Sequence, residues 1–222
     1  MKKVFRLQYA SDIHLEKRVD IPTIVPAYEN LALVGDIGNP FTEKYTTFVE
    51  SCSKLFDNVF VVPGNHEYYS DSFEIVSWKL DGLKAYFRSL GNVELLNNNV
   101  VQIDNLRIAG SVLWCSNERY IHRHQQCLAF IHKQLQSVTP LIMLTHYPPS
   151  YKLMVNKYRK FTNSHDLYYN HLDHLVRDPV IAWISGHTHC QTVMKINGVF
   201  CGINACGHSV GVIPQTGVDL HY

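Results

Sequence analysis

Apolar residues in this chain come in short dense runs, and several of the runs stop abruptly at polar groups. Residues 59–62 are Val-Phe-Val-Val, followed at once by Pro63-Gly64-Asn65-His66-Glu67. A β-branched run halted by Pro-Gly predicts a buried strand whose carboxyl end presents an amide and an imidazole. The same pattern recurs four times. Residues 4–10 lead into Ser11-Asp12-Ile13-His14, residues 31–34 into Gly35-Asp36, residues 141–144 into Thr145-His146-Tyr147-Pro148-Pro149, and residues 180–184 into Gly186-His187-Thr188-His189. Each ending delivers Asp or His just past an apolar run.

Helical spacing separates these strands. Residues 42–56 carry apolar side chains at Tyr45, Phe48, Val49, Cys52, Leu55 and Phe56, with Thr42 as a cap and Glu43 in the first turn. Residues 73–90 predict a second amphipathic helix, residues 118–136 a third and residues 166–176 a fourth. Strand, helix, strand order is the α/β alternation of a largely parallel sheet that collects ligands at its strands' carboxyl ends. From Asn99 the pattern becomes strand-rich. Residues 100–104 and 107–114 predict a hairpin turning at Asn105 in a second, partly antiparallel sheet. A second hairpin is expected over 192–203, turning at Asn197-Gly198.

Composition narrows the picture. A chain of 222 residues with 46% hydrophobic residues can bury a full core, and the expectation is one domain over 1–222. A formal net charge of +1 lacks the strong positive footprint of a dedicated nucleic-acid binder. Six cysteines occur without C-x-x-C spacing, mostly beside apolar stretches, which reads as free thiols in a reducing compartment. No apolar run is long enough to cross a bilayer, and charges at Lys2 and Lys3 precede any signal-peptide core. A soluble, cytoplasmic protein with no membrane partner is expected. The basic cluster of Lys152, Lys157, Arg159 and Lys160 reads as a solvated loop face, with attraction of a phosphorylated substrate as the alternative.

The strand ends together supply Asp12, His14, Asp36, Asn65, His66, His146, His187 and His189. Carboxylate, amide and imidazole without thiolate suit Mn, Fe or catalytic Zn better than structural zinc. Two aspartates and several imidazoles exceed the needs of one ion and match a two-metal site sharing a carboxylate. Such a pair binds phosphate oxygens and lowers the pKa of a bridging water, so that hydroxide can attack phosphorus in line near neutral pH.

Asp-x-His, Gly-Asp, Gly-Asn-His-Glu, His and Gly-His-x-His, in this order from Asp12 to His189, resemble the calcineurin-like metallophosphoesterase family. The resemblance implies a four-layer α/β/β/α sandwich of two facing mixed sheets flanked by helices. It implies that Asp12, His14, Asp36 and His189 hold one metal, that Asp36, Asn65, His146 and His187 hold the other, and that Asp36 bridges. His66 would contact the scissile phosphate and protonate the leaving oxygen. Glu67 reads as a loop-stabilising acceptor, and His208 as a residue able to approach the site. The remaining histidines, His122, His124, His132, His165, His171, His174 and His221, read as surface residues.

The family's protein serine/threonine phosphatases follow Gly-Asp with Asp-Arg-Gly, whereas Gly35-Asp36 runs into Ile37-Gly38-Asn39-Pro40. With no such arginine and no added capping domain, the expected activity is a manganese-favouring phosphodiesterase. Its expected substrate is a small nucleotide-like diester, with single-stranded nucleic acid as a further candidate. Phosphomonoesterase, nuclease and non-catalytic interaction scaffold on the same fold stand as alternatives.

Overall fold

A computed structural model describes residues 3–154, 167–207 and 211–222. The first sheet is built from β1 (Val4–Ala10), β3 (Asn30–Val34), β4 (Asn58–Val62) and β5 (Val93–Leu95), all parallel, with β13 (Gly217–His221) antiparallel on the β1 edge. The short β2 (Thr23–Ile24) pairs with β12 (Val212–Ile213) outside it. Helices α1 (Glu43–Ser53) and α2 (Phe73–Ser89) make the crossovers around β4.

The second sheet has the order β10-β11-β9-β8-β7-β6. Its strands are β6 (Asn99–Ile103), β7 (Leu106–Ser111), β8 (Leu141–Thr145), β9 (Val180–Ser185), β10 (Gln191–Ile196) and β11 (Val199–Asn204). The four central strands are parallel, and a hairpin closes each edge. Helix α3 (Ile121–Gln134) is tied to this sheet by Arg107, whose guanidinium donates to the carbonyls of Gln134 and Thr139 at 3.0 and 2.9 Å.

The apolar runs are dense because both faces of these strands are buried. Ala32, Val34, Phe60, Val62, Ile142, Leu144, Ala182 and Ile184 fill the layer between the sheets. Their alternates Leu31, Leu33, Val59, Val61, Leu141, Met143 and Trp183 face the helices and outer loops. The result is an α/β sandwich of two facing mixed sheets flanked by helices, as expected.

Several local expectations are corrected. The first helix ends at Ser53, so Leu55 lies beyond it and is 48% exposed, while Phe56 folds back into the core. The strand expected to reach Trp114 stops at Ser111, where the Ser111 hydroxyl accepts from Leu113 N–H and Leu113 turns left-handed at φ 52°. The third helix begins at Ile121, because Asn117 first makes a turn in which its side chain and carbonyl both accept from Tyr120 N–H. The fourth helix does not form among the described residues. Asn170 and Leu172 donate their amides to the carbonyls of Pro148 and Pro149, which leaves one short 3-10 turn, Asp173–Leu175. His124 is buried, donating Nδ1–H to Trp114 O at 2.6 Å. His165, His208, Lys157, Arg159 and Lys160 lie outside the described residues. Lys152 pairs with Asp173 at 2.7 Å.

Two glycines give a test of the inter-sheet packing. A Cβ at Gly110 would collide with Leu96 Cβ and lie 2.9 Å from Val62 Cγ2, whereas one at Gly82 on α2 would meet nothing within 4 Å. Gly110→Ala should lower the unfolding free energy by about 1–3 kcal/mol, and Gly82→Ala should raise it by about 0.5–1 kcal/mol. Urea denaturation of both variants measures this, and equal midpoints would contradict the packing described.

Candidate metal centre

The carboxyl ends of five strands, three from the first sheet and two from the second, meet at one place. Asp12 and His14 follow β1, Asp36 follows β3, Asn65 and His66 follow β4, His146 ends β8, and His187 and His189 follow β9. The chain reverses sharply at each end. Asp12, His14, Asp36, His187 and His189 all have positive φ, between 49° and 68°. Backbone strain of about 1–3 kcal/mol per residue is concentrated at functional sites, and here it falls on five candidate ligands. Close approach also demands glycine: a Cβ on Gly35 would strike the His146 ring, and one on Gly64 would strike the Asp36 carboxylate.

Buried Glu67 joins two of these turns. Its Oε1 accepts from Ile37 and Gly38 N–H at 2.8 and 3.2 Å, and its Oε2 from Asp36 and Gly64 N–H at 3.1 and 2.6 Å. Burial, then the Asp36 charge, push its pKa up to about 7 against the amides that favour the carboxylate. Glu67 therefore fixes Asp36 relative to Asn65.

Three sets of atoms able to ligate a cation converge, each within 4.8 Å of one another: Asp12, His14 and His189; His14, Asp36 and His66; and Asp36, His146 and His187. Asp36 faces two ways. Its Oδ2 lies 3.9 Å from His14 Nε2 and 4.0 Å from His66 Nε2, while its Oδ1 lies 3.3 Å from His146 Nε2. His146 Nε2 is also 2.9 Å from Asn65 Oδ1. All eight residues singled out from the sequence are thus brought together, with Asp36 between the two clusters. His66 is the ambiguous one, since its geometry also permits a ligand role.

Neighbouring acceptors set the imidazole tautomers. His146 donates Nδ1–H to Val34 O at 3.0 Å, His14 donates Nδ1–H to Glu16 at 3.0 Å, and His187 donates Nε2–H to Leu167 O at 3.1 Å. The other ring nitrogen of each is available to a cation, the arrangement that supports metal ligation. Ring nitrogens and side-chain oxygens then crowd together. His14 Nε2 is 3.2 Å from His189 Nε2, and His146 Nε2 confronts two oxygens. Asp12 Oδ1 is buried with no hydrogen bond, 3.3 Å from His189 Nε2. A buried carboxylate oxygen with no hydrogen bond, set among imidazoles, is a donor set that fits divalent cations.

The titration behaviour agrees. Burial opposes the His146 cation, but Asp36 and Asp12 together raise its pKa to about 9. Burial, then the His146 charge, hold His187 down at about 3. Burial likewise opposes the Asp36 carboxylate, yet the histidines keep it below the usual range. A proton on His146 does part of the work of a cation.

Glu16 was missed by sequence reasoning. Its Oε1 accepts from Nδ1 of both His14 and His66, at 3.0 and 3.2 Å, and that contact with Glu16 raises the His66 pKa. The only signal was an acid two residues after His14, too slight without the fold.

Two facing sheets with aspartates and histidines gathered at their strands' carboxyl ends define a candidate dinuclear metal centre of the kind found in metal-dependent hydrolases. The chain belongs to the calcineurin-like phosphoesterase family, whose profile matches residues 7–191. An uncharacterized protein of Acanthamoeba polyphaga mimivirus is 28% identical over 256 residues, covering 91% of each chain. Among solved structures, phosphopantetheinyl hydrolase of Mycobacterium tuberculosis superposes with TM-score 0.65 at 17% identity, covering 91% of this chain and 89% of that one. The Plasmodium protein described as the anchor in the inner membrane complex gives TM-score 0.57 at 13% identity, covering 98% and 78%. At such identities the likeness is one of fold.

The Glu67 clamp is testable apart from activity. In Glu67→Gln the amide would turn its N–H groups toward two backbone donors, leaving them unsatisfied at about 1–3 kcal/mol each. Urea unfolding in chelator should show a loss of about 2–6 kcal/mol. A loss below about 1 kcal/mol would contradict the clamp.

Proposed function

We propose that this chain is a dinuclear metal-dependent phosphodiesterase acting on small, nucleotide-like diesters. The observation that carries the reading is the two-sided setting of Asp36, with Oδ2 toward His14 and His66 and Oδ1 toward His146. In this reading Asp12, His14, Asp36 and His189 hold one ion, and Asp36, Asn65, His146 and His187 the other. The imidazole-rich set favours manganese over magnesium, with iron or zinc as further candidates. Bound ions would neutralise phosphate oxygens and lower the pKa of an attacking water.

The protein's own groups do the rest. Glu16 accepts from His66 Nδ1, which orients the ring and favours its protonated form. The ring is 27% exposed and packs edge-on against His14 with centroids 4.4 Å apart. It can therefore reach substrate and deliver a proton to the departing oxygen. Glu67 and the two close-packed glycines keep Asp36 and Asn65 from moving as charge develops, the preorganisation that makes electrostatic stabilisation effective.

The preference for a diester rests on Ile37-Gly38-Asn39-Pro40 after Gly-Asp, which places no arginine there to grip a dianionic phosphate. The six cysteines are buried and form no disulfide, in keeping with a reducing, cytoplasmic setting. No helix among the described residues is long and apolar enough to cross a membrane. A non-catalytic scaffold is the second reading, raised by the neighbour described as an anchor. Retention of His66 and Glu16 beside a complete ligand set favours turnover.

His66→Asn tests the assignment. A general acid is worth about 10²–10⁴-fold in rate, and its value falls when the leaving group needs no proton. The variant should keep its metal content, lose most activity on alkyl phosphodiesters and lose far less on nitrophenyl esters. Equal losses on both would assign His66 to phosphate positioning, loss of an ion would make it a ligand, and a wild-type protein inactive on both would favour the scaffold.

A further inference from the structure

Beside the metal centre lies a cavity of about 590 Å³, within the range of small-molecule sites. Tyrosines from four separate parts of the chain line it. Tyr69 comes from the turn after β4, Tyr120 from the end of the Asn117 turn, Tyr147 from the loop after β8, and Tyr168 from the irregular segment that replaces the fourth helix. Tyr147 is the buried floor, its ring 4.0 Å from that of His187. Tyr69 and Tyr168 are the open walls, 55% and 43% exposed.

The walls adjoin the chemistry directly. The Tyr69 ring lies 5.1 Å from the His66 ring, and the Tyr168 ring 5.8 Å from His187, itself part of the cavity lining. Asn117, Glu118 and Arg119 complete the rim with an amide, a carboxylate and a guanidinium, the last 5.3 Å from the Tyr120 ring centroid. Aromatic walls with hydrogen-bonding groups at the rim suit a flat heteroaromatic ligand better than an aliphatic chain. The rings stack on its faces, and the polar side chains meet donors and acceptors on its edge.

We propose that this cavity holds the base of a nucleotide phosphoester whose phosphate lies at the metal centre, with Tyr69 and Tyr168 as the stacking surfaces. The proposal rests on the phosphoesterase reading for the phosphate position. It deepens that reading by assigning the organic half of the substrate to named side chains.

Titration calorimetry of the full chain, as loaded with manganese and again in chelator, tests it. The probes are the non-hydrolysable phosphonate monomethyl ester analogues of adenosine 5′-methyl phosphate and of 1-deoxyribose 5-methyl phosphate, which differ only in base or hydrogen at C1′. The adenosine analogue should bind about 5–150-fold more tightly, the range that one base–aromatic stack covers. Tyr168→Ala should remove most of that difference, and Tyr168→Phe, which keeps the stacking face, should restore it. Equal affinity for the two analogues, or a difference unaltered in Tyr168→Ala, would overturn the proposal. Failure of the manganese-loaded chain to cleave adenosine 5′-methyl phosphate would instead count against the phosphodiesterase reading, while the titration still decides whether the cavity takes a base.

Discussion

The constraint on which the rest of the structure depends is the burial of Asp36 between opposed groups of imidazoles. Its carboxylate is 1% exposed, with Asp12 and Glu67 buried nearby. Three carboxylates in a small dry volume repel, and burial removes the solvent that would screen them. The fold accepts this because rigid strands set the positions. Two sheets aim five strand ends at one point, left-handed turns fold the side chains inward, and Glu67 binds the Asp36 turn to the Gly64 turn through four amides. A cation placed there relieves the repulsion, so metal binding and stability are linked.

How much of this was legible depends on where the information resides. Strands β3, β4, β8 and β9 were readable because burial on both faces forces an unbroken apolar run, and their polar endings were readable because function breaks that pattern at once. Strands β5 and β13 were not, being short segments defined by the neighbour they pair with. The expected helix over 166–176 has the right spacing, but Pro148 and Pro149 offer carbonyls that capture its amides. His124 looked like a surface residue because only the fold brings Trp114 O to its ring.

The same division applies within the site. Every residue of the Asp/His/Asn set sits within four residues of a strand's carboxyl end, so sequence alone could gather it. Glu16 is different. It acts by accepting from two histidines at once, a relation that needs three-dimensional placement. The tyrosine-walled cavity was equally hidden, since Tyr69, Tyr120, Tyr147 and Tyr168 share no motif and occur in four separate loops.

The central claim is that one carboxylate serves two ions, and metal stoichiometry tests it most directly. Wild type, Asp12→Asn and Asp36→Asn would be loaded with manganese, freed of excess and assayed for bound metal. The expected values are about two ions per chain for wild type, about one for Asp12→Asn and close to none for Asp36→Asn, as a two-metal site sharing one ligand requires. Equal metal content in the two variants, or a wild-type protein that binds a single ion, would contradict the account.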